Sequence, residues 1–163
     1  MGSMKRSAIL VGAGLLGLLA VGAYLLLGRQ GGPQGTGTLC TTPPAAAAGL
    51  TNEAILALRI EDLKEGQGPQ AITSNTVRVH YIGRLVDGKE FDSSCRPGRG
   101  PFEFTLGAGQ VIPGWDSGIV GMRVGGQRRL IIPAHLAYGE RSPSPEIPPG
   151  AALVFDVELL EIK

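Results

Sequence analysis

Hydrophobic and polar positions divide the chain into three unlike stretches. Ser7 through Gly28 is 22 residues without a charge, bracketed by Lys5-Arg6 and Arg29. As a helix rising about 1.5 Å per residue it reaches about 33 Å, matching a hydrocarbon core of about 30 Å. It exceeds the usual apolar run of a signal peptide. A transmembrane signal-anchor over 4–28 is therefore expected, with cleavage after Val21-Gly22-Ala23 as the alternative. The basic residues at its start favour a cytoplasmic amino terminus, so the rest of the chain is exported in either case. Met1-Gly2-Ser3, ahead of Met4, reads as a cloning remnant and is set aside.

Residues 29–50 are rich in Gly, Pro, Ala and Thr and show no periodicity. Nothing there offers a face to bury, and a flexible-to-extended linker is expected. From residue 51 the pattern changes. Leu56, Leu58 and Ile60 alternate as a first strand would. Val77, Val79 and Tyr81 alternate with Arg78, His80 and Ile82 as a half-buried strand. Asp87-Gly88 between two such runs is a hairpin signal. Phe102 and Phe104 flank Glu103 in another strand, and Arg129 to Ile132 is closed by Pro133. Leu153, Phe155, Val157 and Leu159 share one face of a last strand, with Asp156 and Glu158 opposite. One short helix follows Pro113, a residue favoured at the first helical position, with Trp115, Ile119 and Met122 on one stripe. Many strands and one helix give an α+β domain over 51–163 with an antiparallel sheet wrapped on the helix.

Charge sharpens this picture. Three of the 15 basic residues precede position 50, leaving 12 against all 14 acidic ones in the globular part. There is no basic run, which excludes a nucleic-acid surface built on clustered Lys and Arg. Two His and two Cys, none at ligand spacing, give no zinc or haem signal, so no metal or cofactor is expected. Gly12 to Gly17 spells G-x-G-x-x-G, but the next acidic residue is Glu53 and no second strand follows. These are glycines of a membrane helix rather than a dinucleotide loop.

Catalytic constellations are absent too. No Gly-x-Ser-x-Gly elbow occurs, and Ser93-Ser94 have no positioned His, since His80 falls on the outward set of its strand. Glu90 and Asp92 lie two apart at a hairpin end, a poor glycosidase pair. Seven of the eight aromatics nevertheless fall between 81 and 155. On composition alone they read first as an ordinary aromatic core, with an apolar, aromatic-walled ligand pocket as the rival reading.

Longer motifs separate those readings. His80-Tyr81-Ile82-Gly83-Arg84-Leu85, Asp87-Gly88-Lys89 and Phe91-Asp92-Ser93-Ser94 resemble the FKBP-type, macrolide-binding peptidyl-prolyl isomerases. So do Val111-Ile112-Pro113-Gly114-Trp115, Ala137-Tyr138-Gly139 and the stretch from Ile147 to Leu159. The match is collinear over about 58–163. The resemblance implies a five- to six-stranded antiparallel sheet curled around one short helix, preceded here by the transmembrane helix and linker. It assigns catalysis to Asp92, Tyr138, Trp115 and Phe155, with Trp115 as the floor under the prolyl ring. Substrate contacts fall on Tyr81, Phe91, Phe102, Val111, Ile112 and Ile147, the Ile112 N–H meeting a substrate carbonyl, and Phe104 supports the core. The implied function is cis-trans isomerisation of X-Pro bonds in folding exported proteins, on the extracytoplasmic side of a membrane. Its partners would be proline-containing polypeptides and macrolide inhibitors. The alternative is a non-catalytic tethered binding module or assembly chaperone using the same pocket.

Departures from the family pattern are local. The loop Cys95–Gly100 is one residue longer than in the commonest short members, leaving an Arg contact open between Arg96 and Arg99. Gln110 stands where an acidic residue is frequent, and Pro143 and Glu146 alter the Glu140–Glu146 flap. Cys40 lies in the linker and Cys95 in the lengthened loop, 55 residues apart. Bridging needs Cα atoms within about 7 Å, which a linker with no reason to fold does not supply. Two free thiols are expected, with a bridge as the alternative.

Overall fold

The computed structural model describes residues 37–163. The first three residues, the expected membrane helix, the glycine motif and the linker up to residue 36 lie outside the described residues. Among the described residues no helix is long and apolar enough to cross a membrane.

Six strands form one antiparallel sheet: β1 (Arg59–Lys64), β2 (Thr76–Leu85), β3 (Glu90–Ser93), β4 (Phe102–Thr105), β5 (Gln127–Ile132) and β6 (Leu153–Ile162). Their order is β1-β5-β6-β2-β3, and β4 also pairs with β2. The ten-residue β2 serves both neighbours on one edge. Thr76–Val79 meets β4, while Ile82–Arg84 meets β3. The Asp87-Gly88 hairpin forms as its sequence predicts, Leu85 N–H donating to the Lys89 carbonyl at 2.9 Å.

Among the described residues the one α-helix, α1 (Pro113–Gly118), starts where Ile112 is still extended and Pro113 can open the first turn. Trp115, Ile119 and Met122 are buried beneath the sheet, as their spacing predicts. Gly114 makes that approach possible. A Cβ there would stand 2.5 Å from the Ile132 side chain, so any larger residue would push α1 off β5.

The first strand departs from expectation. Strand β1 begins at Arg59 rather than at Leu56, and Leu56 is 80% exposed. A 3-10 turn over Asn52–Ala54 redirects the chain, and Ile55 is the residue that goes in. β1 has a neighbour on one side only, so its register with β5 is fixed by backbone pairing (Arg59↔Ile131) more than by an apolar alternation.

The polar face of β6 also differs from a solvated one. Leu153, Phe155, Val157 and Leu159 enter the main core, but Val154, Asp156, Glu158 and Leu160 are buried as well. Asp156 accepts from Arg84 Nη1 at 2.6 Å and Arg129 Nε at 2.7 Å. Glu158 accepts from the backbone N–H of Thr38 at 3.0 Å and of Leu39 at 2.7 Å.

Residues 37–50 therefore form a strap over the outer face of the sheet. Leu39 is fully buried, Ala45 offers its carbonyl to Arg129, and Ala47 and Leu50 pack on Ile55, Ile131, Ala152 and Val154. This corrects the expectation that nothing in this part of the linker could bury a face. The hydrogen-bond partners that seat it lie 84 to 120 residues away, invisible to local periodicity. The free thiols are corrected with it. Cys40 and Cys95 form a disulfide, their Cα atoms 5.1 Å apart, because the strap carries Cys40 to the rim loop.

Candidate active site

On the inner face the sheet and α1 bring the scattered aromatics together. Trp115 is 4% exposed, and four rings surround it. Phe155 on β6 and Tyr81 on β2 meet it edge-on at centroid distances of 5.2 and 5.3 Å. Phe104 and Phe102 on β4 stand at 5.6 and 6.2 Å. Three of these pairs, with Phe155, Tyr81 and Phe102, are near-perpendicular, a favoured aromatic geometry, and Phe104 is tilted. The Trp115 Nε1 is buried and makes no hydrogen bond among the described residues, so packing alone holds the ring.

Phe91 closes one side, 5.6 Å from Phe155 and perpendicular to it. That contact depends on Gly83, where a Cβ would stand 2.8 Å from both rings. Val111 and Ile112 are half-buried, and Phe102 and Tyr138 reach solvent at 40% and 37% exposure. The result is an apolar surface over Trp115, open at its rim. Ile147 is less accessible, buried in the same core cluster. Phe104 is buried behind Trp115, in its expected supporting place.

Polar groups are few and specific. Tyr81 OH donates to Asp92 Oδ2 at 2.6 Å, and Arg99 Nη1 donates to Asp92 Oδ1 at 2.7 Å. The open choice between arginines thus falls on Arg99, since Arg96 pairs with Glu90 at 3.1 Å. Burial, reinforced by the hydrogen bond to Asp92 and its charge, pushes the Tyr81 phenol up to about 12. Burial and then the charge of Asp92 raise Tyr138 as well. Beside Tyr138 a cleft of about 510 Å³ runs along His135, Ala137 and Pro143. Glu146 lies on the exposed flap, its carboxyl held low first by a hydrogen bond with Ser144.

Nine of the ten candidate residues reach this surface or its rim, and Ile147 backs it. Sequence reasoning treated Tyr81 as an apolar wall and missed its hydroxyl as the partner of Asp92. An aromatic that carries a donor, on a strand adjacent to the aspartate's own, is the available signal.

Comparison with known proteins now bears on the same residues. The family model for FKBP-type peptidyl-prolyl cis-trans isomerase matches residues 68–160. The chain belongs to that family. Mouse peptidyl-prolyl cis-trans isomerase FKBP2 is 44% identical over 126 residues, covering 77% of this chain and 89% of the mouse protein. FK506-binding protein 4 of Aspergillus fumigatus is 56% identical over 106 residues, covering 65% of this chain. This chain spans only 21% of that fungal relative's length. Among solved structures, AtFKBP13 superposes with a TM-score of 0.60 at 41% identity, covering 65% of this chain and 93% of that one. FkpA from Escherichia coli gives 0.58 at 46% identity, with 65% and 48% covered. The six-stranded sheet with one short helix is the FKBP fold, and the aromatic surface lies within the matched residues.

Proposed function

We propose that this chain accelerates cis-trans rotation of X-Pro bonds in polypeptides that fold after export, working from a membrane tether at residues 4–28. The observation that carries the isomerase reading is the four-ring enclosure of Trp115, with Tyr81 on its wall tied to Asp92 and Asp92 tied to Arg99. Rotation of a prolyl amide needs neither a nucleophile nor a redox step. Its barrier of about 18–20 kcal/mol is amide resonance, which twisting abolishes together with the charge separation between oxygen and nitrogen. An apolar surface disfavours the planar, polar amide more than the twisted one, so it binds the transition state differentially.

Residue roles follow from this chemistry. Trp115 floors the prolyl ring, and Tyr81, Phe91, Phe102, Val111 and Phe155 wall it. The Ile112 N–H receives a substrate carbonyl, which fixes the peptide while the bond turns. Asp92, held by Tyr81 and Arg99, and the Tyr138 hydroxyl border the twisting amide, and Ile147 supports the wall from behind. The same surface would take a macrolide such as FK506, for which the fungal relatives are named, with Pro143 and Glu146 modifying that fit. Export fits the Cys40–Cys95 bridge, since disulfides persist in oxidising compartments.

Exchange NMR on Ala-Leu-Pro-Phe-type peptides is the test. Full-length protein at substoichiometric concentration should raise the cis-trans exchange rate well above the blank, most for apolar residues before proline. A rate equal to the blank removes the isomerase reading and leaves a binding module.

A further inference from the structure

Where the strap meets the rim loop, Cys40, His80 and Cys95 converge. One ligand atom from each lies within 4.8 Å of the others, and all three residues are half-buried. In the oxidised chain the two sulfurs are bonded to each other. We propose that reduction of this bridge turns the cluster into a Cys2His site for one soft, zinc-like divalent ion. The disulfide and the metal would be two alternative closures of the same strap.

Geometry favours the site. Zinc takes thiolate sulfur at about 2.3 Å and imidazole nitrogen at about 2.0 Å, so tetrahedral ligand atoms sit about 3.3–3.8 Å apart. From a bonded pair with Cα atoms 5.1 Å apart, that separation is reached by turning the two cysteine side chains. His80 is already oriented, its Nδ1 and Ser94 Oγ being 2.9 Å apart. An outer partner of this kind fixes a ligating ring. Cys40 does not rely on the bridge to stay in place. Leu39 beside it is fully buried, and Glu158 holds the backbone of Thr38 and Leu39. Glu158 also pairs with His80 across β2 and β6, placing a negative charge beside the cluster. Water completes the fourth position.

The chemistry balances with a phosphine as reductant. One disulfide, one phosphine and one water give two thiols and the phosphine oxide. Each thiol then releases its proton to solvent as its sulfur binds the ion, two protons per metal.

Cobalt(II) alone is the probe. Full-length protein is reduced with a phosphine, desalted without oxygen and titrated. One equivalent should bind, with a thiolate-to-cobalt charge-transfer band and the strong visible bands of a four-coordinate ion, both bleached by zinc. The oxidised protein has the same sequence and should show neither band. His80→Ala should weaken binding roughly tenfold or more, since even outer partners matter on that scale. Three results would overturn the proposal: no charge-transfer band in the reduced protein, unchanged affinity in His80→Ala, or loss of the native circular dichroism on reduction. The last would mean that the strap does not hold its cysteine without the bridge.

Discussion

Asp92 has two partners at once, a phenol and a guanidinium, and both reach it from other parts of the pocket rim. Its half-exposed position allows removal without opening the core. Asp92→Ala is expected to lower the exchange rate while leaving the denaturation midpoint near that of the parent. Full activity with collapsed stability would make the aspartate structural. Trp115 is the opposite case, because four rings lean on it. Trp115→Ala should remove about 3–5 kcal/mol of stability, the range for large aromatic truncations, whereas Trp115→Leu should fold and keep part of the activity. Tyr81 adds a pH signature. Its pKa is raised in the folded chain from the ordinary 10.0 to about 12, so the folded state holds the phenol proton more tightly. The associated stability is complete below about pH 10 and is lost as pH rises towards 12. Denaturation midpoints from pH 8 to 11.5 should fall more steeply for the parent than for Tyr81→Phe; parallel curves would refute the assignment.

At the scale of elements, β6 separates what local pattern reveals from what it hides. Its inward face was legible because alternation in a strand reports burial directly. The outward face was not. Asp156 and Glu158 look like solvent-facing carboxylates, and only tertiary partners, Arg84 and Arg129 for one and the strap for the other, make them core residues. Breaking a buried ion cluster from one side is more damaging than never having built it. Asp156→Ala should therefore destabilise the domain by about 3–5 kcal/mol in urea titrations, because two mostly buried guanidinium groups lose their carboxylate. A change under about 1 kcal/mol would mean that water compensates them. Helix α1 and the hairpin were legible through Pro113 and Asp87-Gly88, local signals that need no distant partner. The first strand was misplaced because β1 is largely exposed on both faces, so no alternation of buried residues marks its bounds. The site followed the same rule. Its aromatics are spread over 75 residues, so composition favoured an ordinary core, and only motif order pointed to the pocket.

For the whole molecule, the strap and its bridge alter how the chain can be extended. Cys40 and Cys95 tie together two points 55 residues apart in sequence, and this loop includes β1, β2 and β3. When the protein is pulled between a point ahead of Cys40 and Lys163, tension crosses the sulfur bond and bypasses everything inside the loop. The oxidised chain should lengthen on unfolding by about 190 Å less than the reduced one, from about 3.3–3.6 Å for each of the 55 spanned links. Optical-tweezer contour lengths measure that difference directly, and equal lengths would mean that the bridge is not formed. If the amino-terminal segment is anchored and a client drags on the pocket, the load path runs from the anchor to the rim loop that carries Arg99. Strand β1 lies inside the closed loop and contributes no residue to the pocket, so it would stay outside that path and carry none of the load.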